Sequence, residues 1–390
     1  MNDNKPSVAL LTSSDIENFF PFGGILSYIE NFIEMYDGQI LHLTGSLDKK
    51  LYLKREVNYN NKKRDFVTIF RLNKRHNIPD KISNIFYAVI GIRNIKALTK
   101  DFDFVYAHSA EEVLPLMFFS KRIKLIYHMH GALNPFKFTR FKFFRNNFFQ
   151  NFYERFVLVP VLKKSRLIIT INQECVDLLE KYNITNPYHM LPNIINSNLF
   201  KPIDKFESKK HIRLDPKKKY LLYAGRLNAV KGLHFLVDVY NKFLSTTADR
   251  ENYVLLFAGD GEDRTAIEEQ VKKLDLQNNV KFAGLVEYKK LPYYFNSAEV
   301  FFLSSYNEGT PMVLLEAMAT GIPIICSNTG NSKELLKNYS SAKVLDNHDV
   351  NEWVTTLNNT LKNDYKKKPF VNKIDFSFFS KGLNKQQHSN

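Results

Sequence analysis

The chain has 390 residues, 44% of them hydrophobic, and a formal net charge of +15. That length suits two cored domains better than one, and the composition argues against a disulfide framework and shows no apolar run of transmembrane-helix length. The positive balance fits anionic partners such as nucleotides, lipid headgroups or nucleic acid, and it leans to the first half of the chain.

Two cysteines, Cys175 and Cys326, lie far apart in apolar surroundings and read as reduced, buried thiols, which suits the cytoplasm. The opening residues lack the apolar core of a signal peptide. No apolar run approaches the ~20 residues of a membrane span.

Residues 8–12 predict a buried strand, followed by Gly23 and Gly24 and a helical pattern over 25–35. Strand, glycine loop and helix open a Rossmann-like unit. The spacing is not Gly-x-Gly-x-x-Gly, so a dinucleotide site gains little. The glycine pair is either a tight turn or a place where a ligand approaches the backbone. Strands are expected at 40–44 and 66–72, a helix at 82–100, and strands at 104–108 and 125–128. The last two lead into His108 and into His128, Met129, His130 and Gly131. Strand C-terminal ends are where open α/β sheets place ligands, which raises these histidines above background. His128 is expected on the other side of the pleat from His130.

Residues 134–166 are the oddest composition in the chain. Phe136, Phe138, Phe141, Phe143, Phe144, Phe148, Phe149, Phe152, Tyr153 and Phe156 interleave with Lys137, Arg140, Lys142 and Arg145. Positions 141, 144, 148 and 152 have helical spacing, so part of this aromatic content reads as core. Three readings stay open. The segment is an amphipathic helix with a solvated basic face, a contact with an anionic membrane surface through Lys137, Arg140, Lys142 and Arg145, or a single-stranded nucleic-acid surface. Nucleic acid is the least favoured of these.

A strand at 167–171 and a helix at 173–182 close the first half. Leu191-Pro192-Asn193-Ile194 through Pro202 reads as a linker, and 205–219 as a polar, exposed connection. The second half opens with a strand at 220–224 and then Gly225-Arg226-Leu227-Asn228-Ala229-Val230-Lys231-Gly232. A guanidinium fork and a compact ammonium bracketed by glycines can clamp a diphosphate. The spacing is not that of a Walker loop. Strands at 254–258 and 280–283 end at Gly259 and at Gly284-Leu285, and Asp260 reads as a turn or cap residue.

The second half is organised around 307–323, Asn-Glu-Gly-Thr-Pro-Met-Val-Leu-Leu-Glu-Ala-Met-Ala-Thr-Gly-Ile-Pro. It follows a buried strand at 300–303. Gly309, Thr310 and Pro311 predict a strand-to-helix turn, and a helix is expected from Met312 to Thr320 with Gly321 as its C-terminal cap. The helix N-terminus offers unpaired N–H groups and a positive dipole end to a phosphate. Glu308 beside it and Glu316, roughly 12 Å along the axis, are better suited to hydroxyls. A diphosphate site flanked by two hydroxyl acceptors points to a nucleotide-sugar. A strand at 324–327 and Gly330-Asn331-Ser332-Lys333-Glu334 follow, and the tail near 375–383 has a Phe-rich helical look.

Glu308-x7-Glu316 in this setting, with Gly-Arg-Leu-x3-Lys-Gly before it, resembles the donor-site signature of glycosyltransferase family 4. The resemblance covers nearly the whole chain, and its specific motifs concentrate in 223–334. It implies an α/β, GT-B fold in which two Rossmann-like domains face across a cleft. The acceptor-binding domain would span 1–190, with a C-terminal helix at about 372–385 packing back, and the donor-binding domain 191–371. It implies a retaining, hexosyltransferase-type transfer from a nucleotide-sugar, UDP-sugar favoured over GDP-sugar, to a glycan or lipid-linked acceptor hydroxyl.

Carried over by position, the resemblance gives His130, Glu308, Arg226 and Lys231 catalytic roles. Donor binding falls to Gly24, Gly225, Arg226, Lys231, Gly259, Leu285, Glu308, Gly309, Thr310, Pro311, Met312 and Glu316. Acceptor binding falls to Gly23, Gly24 and His108. The resemblance implies that positive side chains stand in for a metal, and no cofactor is expected. Two positions depart from the family pattern, Ile194 for a linker Gly and Asn331 for the second Gly of Gly-Gly-x-x-Glu. A basic face without a membrane span suits surface-polysaccharide, lipopolysaccharide or glycolipid assembly, in the cytoplasm and at the inner membrane face. The rival readings are an inactive relative with a structural or membrane-surface assembly role, and a membrane- or nucleic-acid-binding module built on 134–166.

Overall fold

The computed structural model describes residues 5–15, 24–59, 62–72, 87–119, 123–131, 146–191 and 194–363, with Pro369, Phe376 and Phe379. The chain divides into two compact units, Met1–Ile194 with Ile374–Asn390, and Ile195–Lys373. The division falls a few residues beyond the expected one at 190.

In the first unit, β1 (Val8–Leu11), β2 (Ile40–Ser46), β3 (Lys54–Tyr59), β4 (Lys62–Arg71), β5 (Phe104–Ala107), β6 (Leu125–His128), β7 (Leu167–Thr170) and β8 (Tyr188–Met190) form one sheet. Its order is β3-β4-β2-β1-β5-β6-β7-β8, parallel throughout except for the β3–β4 pair. Val8 and Leu10 face one apolar cluster, Ala9 and Leu11 the other. A strand covered on both faces reads as a continuous apolar run, which is why these central strands were predictable. Edge strands β3 and β8 carry Lys, Arg, Glu, Asn and His among their residues and gave no such signal.

The second unit holds β9 (Lys219–Ala224), β10 (Tyr253–Ala258), β11 (Val280–Gly284), β12 (Ala298–Leu303), β13 (Ile324–Ser327) and β14 (Ala342–Leu345). Their order is β11-β10-β9-β12-β13-β14, all parallel. In both sheets the chain lays strands to one side of its first strand and then crosses to the other. The reversal lies between β1 and β5 in the first unit and between β9 and β12 in the second. That is where open α/β sheets leave a crevice at the strand C-termini.

Three expectations need correction. Residues 205–219 are not an open connection. Asp204 accepts from the N–H of Glu207 and caps a helix, Lys205–His211. Lys209 on it is buried, with its ammonium donating to the carbonyls of Pro216 and Lys218. A run of lysines hid one whose stem packs inward. The helix expected from 82 is described from 87 onward, with an interruption at Gly91 before Ile92–Thr99; residues 82–86 lie outside the described residues.

The third correction concerns the aromatic segment. Its described part is a helix, Asn147–Tyr153, continuing through a π-helical turn, Glu154–Leu158, into Val159–Lys164. Tyr153 and Val157 enter the core, whereas Phe148, Phe152 and Phe156 are 71%, 50% and 56% exposed. Phe148 and Phe152, two of the positions expected in the core, point outward because the stripe of Tyr153 and Val157 does the packing; positions 141 and 144 lie outside the described residues. Lys137, Arg140, Lys142 and Arg145 lie outside the described residues, as does most of 372–385. Of that tail, Phe376 and Phe379 rest against Phe32 and Tyr36 of the first unit.

Candidate functional site

The reversal between β9 and β12 brings together groups 77 residues apart. β9 runs out at Ala224 into Gly225, and a short 3-10 turn, Ala229–Lys231, ends at Gly232. Gly232 has φ +63, and a Cβ there would sit 2.1 Å from the Ser304 carbonyl oxygen. Only glycine lets the loop after β9 lie this close to the end of β12. Ser304 Oγ donates to the carbonyls of Lys231 and Gly232 at 2.9 and 3.1 Å, and the Tyr306 N–H donates to the Val230 carbonyl at 2.7 Å. The two loops are stitched by one backbone–backbone bond and by the Ser304 hydroxyl on two backbone carbonyls.

This fixes Lys231 against Glu308. The ammonium donates to Glu308 Oε1 at 2.5 Å, and Ser305 Oγ donates to the same oxygen at 2.6 Å. Both side chains are mostly shielded, at 23% and 11% exposure. Burial, joined by the nearby Glu308 charge, holds the Tyr223 phenol far above its ordinary range. Ser305 was not anticipated; its spacing of three from Glu308 was the available signal.

Next to this pair the helix Met312–Thr320 begins with Pro311 in extended geometry and no side chain capping its first turn. Thr310 Oγ1 is buried without a hydrogen-bond partner. The Gly309 carbonyl accepts from the Asn331 N–H at 3.2 Å, so the departure from a second glycine at 331 leaves the turn tied down. Met312 and Glu316 are buried on the helix, and Gly321 closes it in left-handed geometry.

Gly225 and Gly259 approach each other so closely that a Cβ on Gly259 would lie 1.9 Å from the Gly225 oxygen. Gly259 also bridges to Gly284, with Leu285 beyond it 65% exposed. Asp260 acts as a turn residue, its carboxylate accepting from the Gly261 N–H at 2.9 Å. Arg226 does not join the Lys231–Glu308 pair: its guanidinium lies on Glu262 at 3.1 Å, more than half exposed on both sides.

In the first unit, β5 and β6 end side by side at His108 and His128–His130. His128 and His130 stack with ring centroids 4.2 Å apart, so they share one side. The expectation of opposite sides is corrected: residues two apart on a strand face the same way. His108 Nδ1 and His130 Nε2 lie 2.7 Å apart in a hydrogen bond. Burial holds His130 down to about 3, and holds His108 and His128 well below the usual range. Gly24 starts the helix Gly24–Met35 that follows β1; Gly23 lies outside the described residues.

Residues 204–374 match the family described as Glycosyl transferases group 1, and residues 54–199 the one described as Glycosyltransferase Family 4. The 2-deoxystreptamine N-acetyl-D-glucosaminyltransferase of Niallia circulans is 31% identical over 147 residues, 38% of this chain and 37% of that enzyme. The chain spans between about a third and a half of the length of the curated relatives it matches. Sucrose-phosphate synthase from Thermosynechococcus elongatus has the same fold, with a TM-score of 0.70 at 17% identity over 92% of this chain and 90% of that one. HepE from Anabaena, solved with UDP and glucose, gives 0.65 at 17% identity over the same shares, 92% and 90%. The fold is therefore that of GT-B glycosyltransferases, two parallel-sheet α/β domains, and the chain belongs to glycosyltransferase family 4.

Proposed function

We propose that the chain transfers a hexose from a nucleotide-sugar, a UDP-sugar in preference to a GDP-sugar, to an acceptor hydroxyl with retention of configuration. The observation that supports this most is the Lys231–Glu308 pair at the β9/β12 reversal, beside the uncapped start of the helix Met312–Thr320. A phosphate arriving there offers Lys231 a stronger anionic partner. Glu308 is then free to accept from sugar hydroxyls while the helix N–H groups take the remaining phosphate oxygens. Arg226 can swing from its exposed Glu262 partner to the same diphosphate, since exposed pairs are worth little. Negative charge developing on the leaving diphosphate meets fixed donors, which is electrostatic stabilisation of the transition state. Glu316 is assigned to the ribose, His130 to the donor sugar, and His108 with Gly23 and Gly24 to the acceptor side. HepE, similar in fold, is described in complex with UDP-glucose.

The reaction on this reading needs no metal. Activity persists in excess chelator; loss on chelation with recovery on Mn²⁺ or Mg²⁺ addition would overturn it. Calorimetric titration with UDP, GDP and ADP in chelator, repeated on Glu316→Ala, tests the site. Micromolar binding of one nucleotide, weakened about 10- to 100-fold in the variant by loss of a charged acceptor, is the expected result. No binding to any of the three would favour an inactive relative.

The acceptor is a glycan or lipid-linked intermediate of cell-surface polysaccharide, lipopolysaccharide or glycolipid assembly, reached from the cytoplasmic face of the membrane. The outward Phe148, Phe152 and Phe156, with exposed Arg155, Lys163 and Lys164 nearby in the chain, support contact with an anionic surface. Among the described residues no helix is long and apolar enough to cross a membrane. Flotation with anionic vesicles is expected for the wild type and lost in Phe148→Ser/Phe152→Ser/Phe156→Ser. Flotation unchanged by those substitutions would remove the contact.

A further inference from the structure

We infer that His108, His128 and His130 form a binding site for a borderline divalent transition-metal ion of the Zn²⁺ class, and that the ion acts as an inhibitor rather than a cofactor.

One ring nitrogen from each of the three histidines lies within 4.8 Å of the other two. His128 and His130 stand two apart at the end of one strand and so project to the same side; His108 ends the adjacent strand. Zn²⁺–imidazole bonds of about 2.0–2.1 Å require nitrogens roughly 3.3–3.4 Å apart in a tetrahedral site. His108 Nδ1 lies 2.7 Å from His130 Nε2, so these two rings already meet edge to edge. Reaching that spacing asks the imidazole rings to rotate about their side-chain bonds.

The nitrogens left over point the same way. His108 Nε2 and His128 Nε2 are buried with no hydrogen-bond partner. A buried polar atom without a partner costs about 1–3 kcal/mol, and an ion accepting both lone pairs would remove that cost. His128 has the support that metal-bound imidazoles have elsewhere: its Nδ1 lies 2.6 Å from the Tyr106 hydroxyl, which lies 2.8 Å from the Tyr28 hydroxyl. With Nδ1–H donating to Tyr106 and Tyr106 donating to Tyr28, the Nε2 lone pair is free. The His108–His130 bond yields in the same sense. With Nδ1–H on both rings, the ion displaces His108 from the His130 Nε2 lone pair.

The donor set selects the ion. Three neutral imidazoles suit Zn²⁺, Co²⁺, Ni²⁺ and Cu²⁺, whereas Mg²⁺ and Ca²⁺ take oxygen ligands. Tyr28 packs against all three rings, at centroid distances of 5.6, 4.6 and 5.1 Å, and walls the cluster with an aromatic face. His130 is the one partly exposed member and marks the side from which an ion enters. Inhibition rests on the proposed role of His130 at the donor sugar, because an imidazole whose lone pair holds a metal cannot serve a sugar hydroxyl. Metal binding rests only on the cluster.

The test is titration of chelator-stripped full-length protein with Co²⁺, followed by visible d–d absorption. Absorption rising to one equivalent and erased by Zn²⁺ is the expected result, with loss of at least tenfold in affinity in His128→Asn. No absorption at millimolar Co²⁺, or equal binding by His128→Asn, overturns the site. Melting temperature without metal shows that the variant folds, and a Zn²⁺-dependent rise in wild type alone repeats the test optically silent. His108→Gln serves as a second variant. In transferase assays, one equivalent of Zn²⁺ should lower activity of the wild type and chelator restore it, while His128→Asn keeps both its activity and its indifference to Zn²⁺. Co²⁺ binding without inhibition overturns the inhibitory role and leaves nucleotide binding, measured separately, as the test of the transferase reading.

Discussion

The two sheets place different chemistry at the same topological position. At the β9/β12 reversal the strand ends carry an ammonium and a carboxylate, partly shielded and satisfied by each other and by Ser305. At the β1/β5 reversal, and on β6 beside it, the strand ends carry imidazoles held neutral by burial, two of them with an orphaned nitrogen. On the proposed function the first arrangement is a charge held for exchange: an anion keeps Lys231 paired, while Glu308 retains its Ser305 hydrogen bond and turns to hydroxyls. The second is a set of lone pairs without net charge. Topology fixes where a ligand can sit, and side-chain chemistry decides which kind of ligand is served.

The largest expected effect comes from removing the exchangeable charge. Lys231→Ala should lower kcat by about 10²–10³, the loss of one strong donor to a developing anion, with nucleotide binding weakened less. Steady-state kinetics with the UDP-sugar checks it; full activity would put the diphosphate elsewhere. Gly232→Ala strikes the stitching instead of the charge. Its Cβ would collide with the Ser304 carbonyl, and a destabilisation of roughly 1–3 kcal/mol is expected in urea unfolding. A neutral result would mean that the two loops are free to separate.

The imidazole side of the comparison is sharpened by pH. His42 is buried beside Phe66, both ring nitrogens lack partners, and burial holds its pKa down to about 3. The unfolded chain takes up a proton near the ordinary 6.5 and the folded chain does not. Stability is therefore fully present above about 6.5 and falls as pH drops toward 3, by about 1.4 kcal/mol per pH unit for this group. In His42→Phe, measured with chelator present, the slope of unfolding free energy between pH 6 and 4 should be shallower by that amount. An unchanged slope would mean that His42 is protonated in the fold. The smallest effect belongs to the exposed pair. Glu262→Gln should change stability by less than about 1 kcal/mol, because Arg226 and Glu262 are both solvated. A larger loss would make Arg226 structural.

Much of this was legible in the sequence where one local rule was decisive. The central strands β1, β6, β9, β12 and β13 are apolar runs buried on both faces, and the helix Met312–Thr320 has its proline before it and Gly321 after it. The candidate donor residues were legible too, because glycines, a spaced basic pair and two glutamates sit in compact motifs. What escaped depended on which face turns inward. The edge strands carry no apolar signature, Lys209 is buried by its stem, and Phe148, Phe152 and Phe156 are outward although their spacing is that of a core stripe. Local pattern gives periodicity; only packing chooses the phase.

The sequence by itself determined the fold class of two α/β units, and it nominated the groups proposed to meet an anion, because periodicity, glycine placement and charge are local properties. Only the tertiary structure decided that Lys231 closes on Glu308 while Arg226 turns to Glu262, and that three histidines from two strands converge behind Tyr28. Those outcomes follow from strand order and pleat, which join residues 77 apart in one sheet and 22 apart in the other.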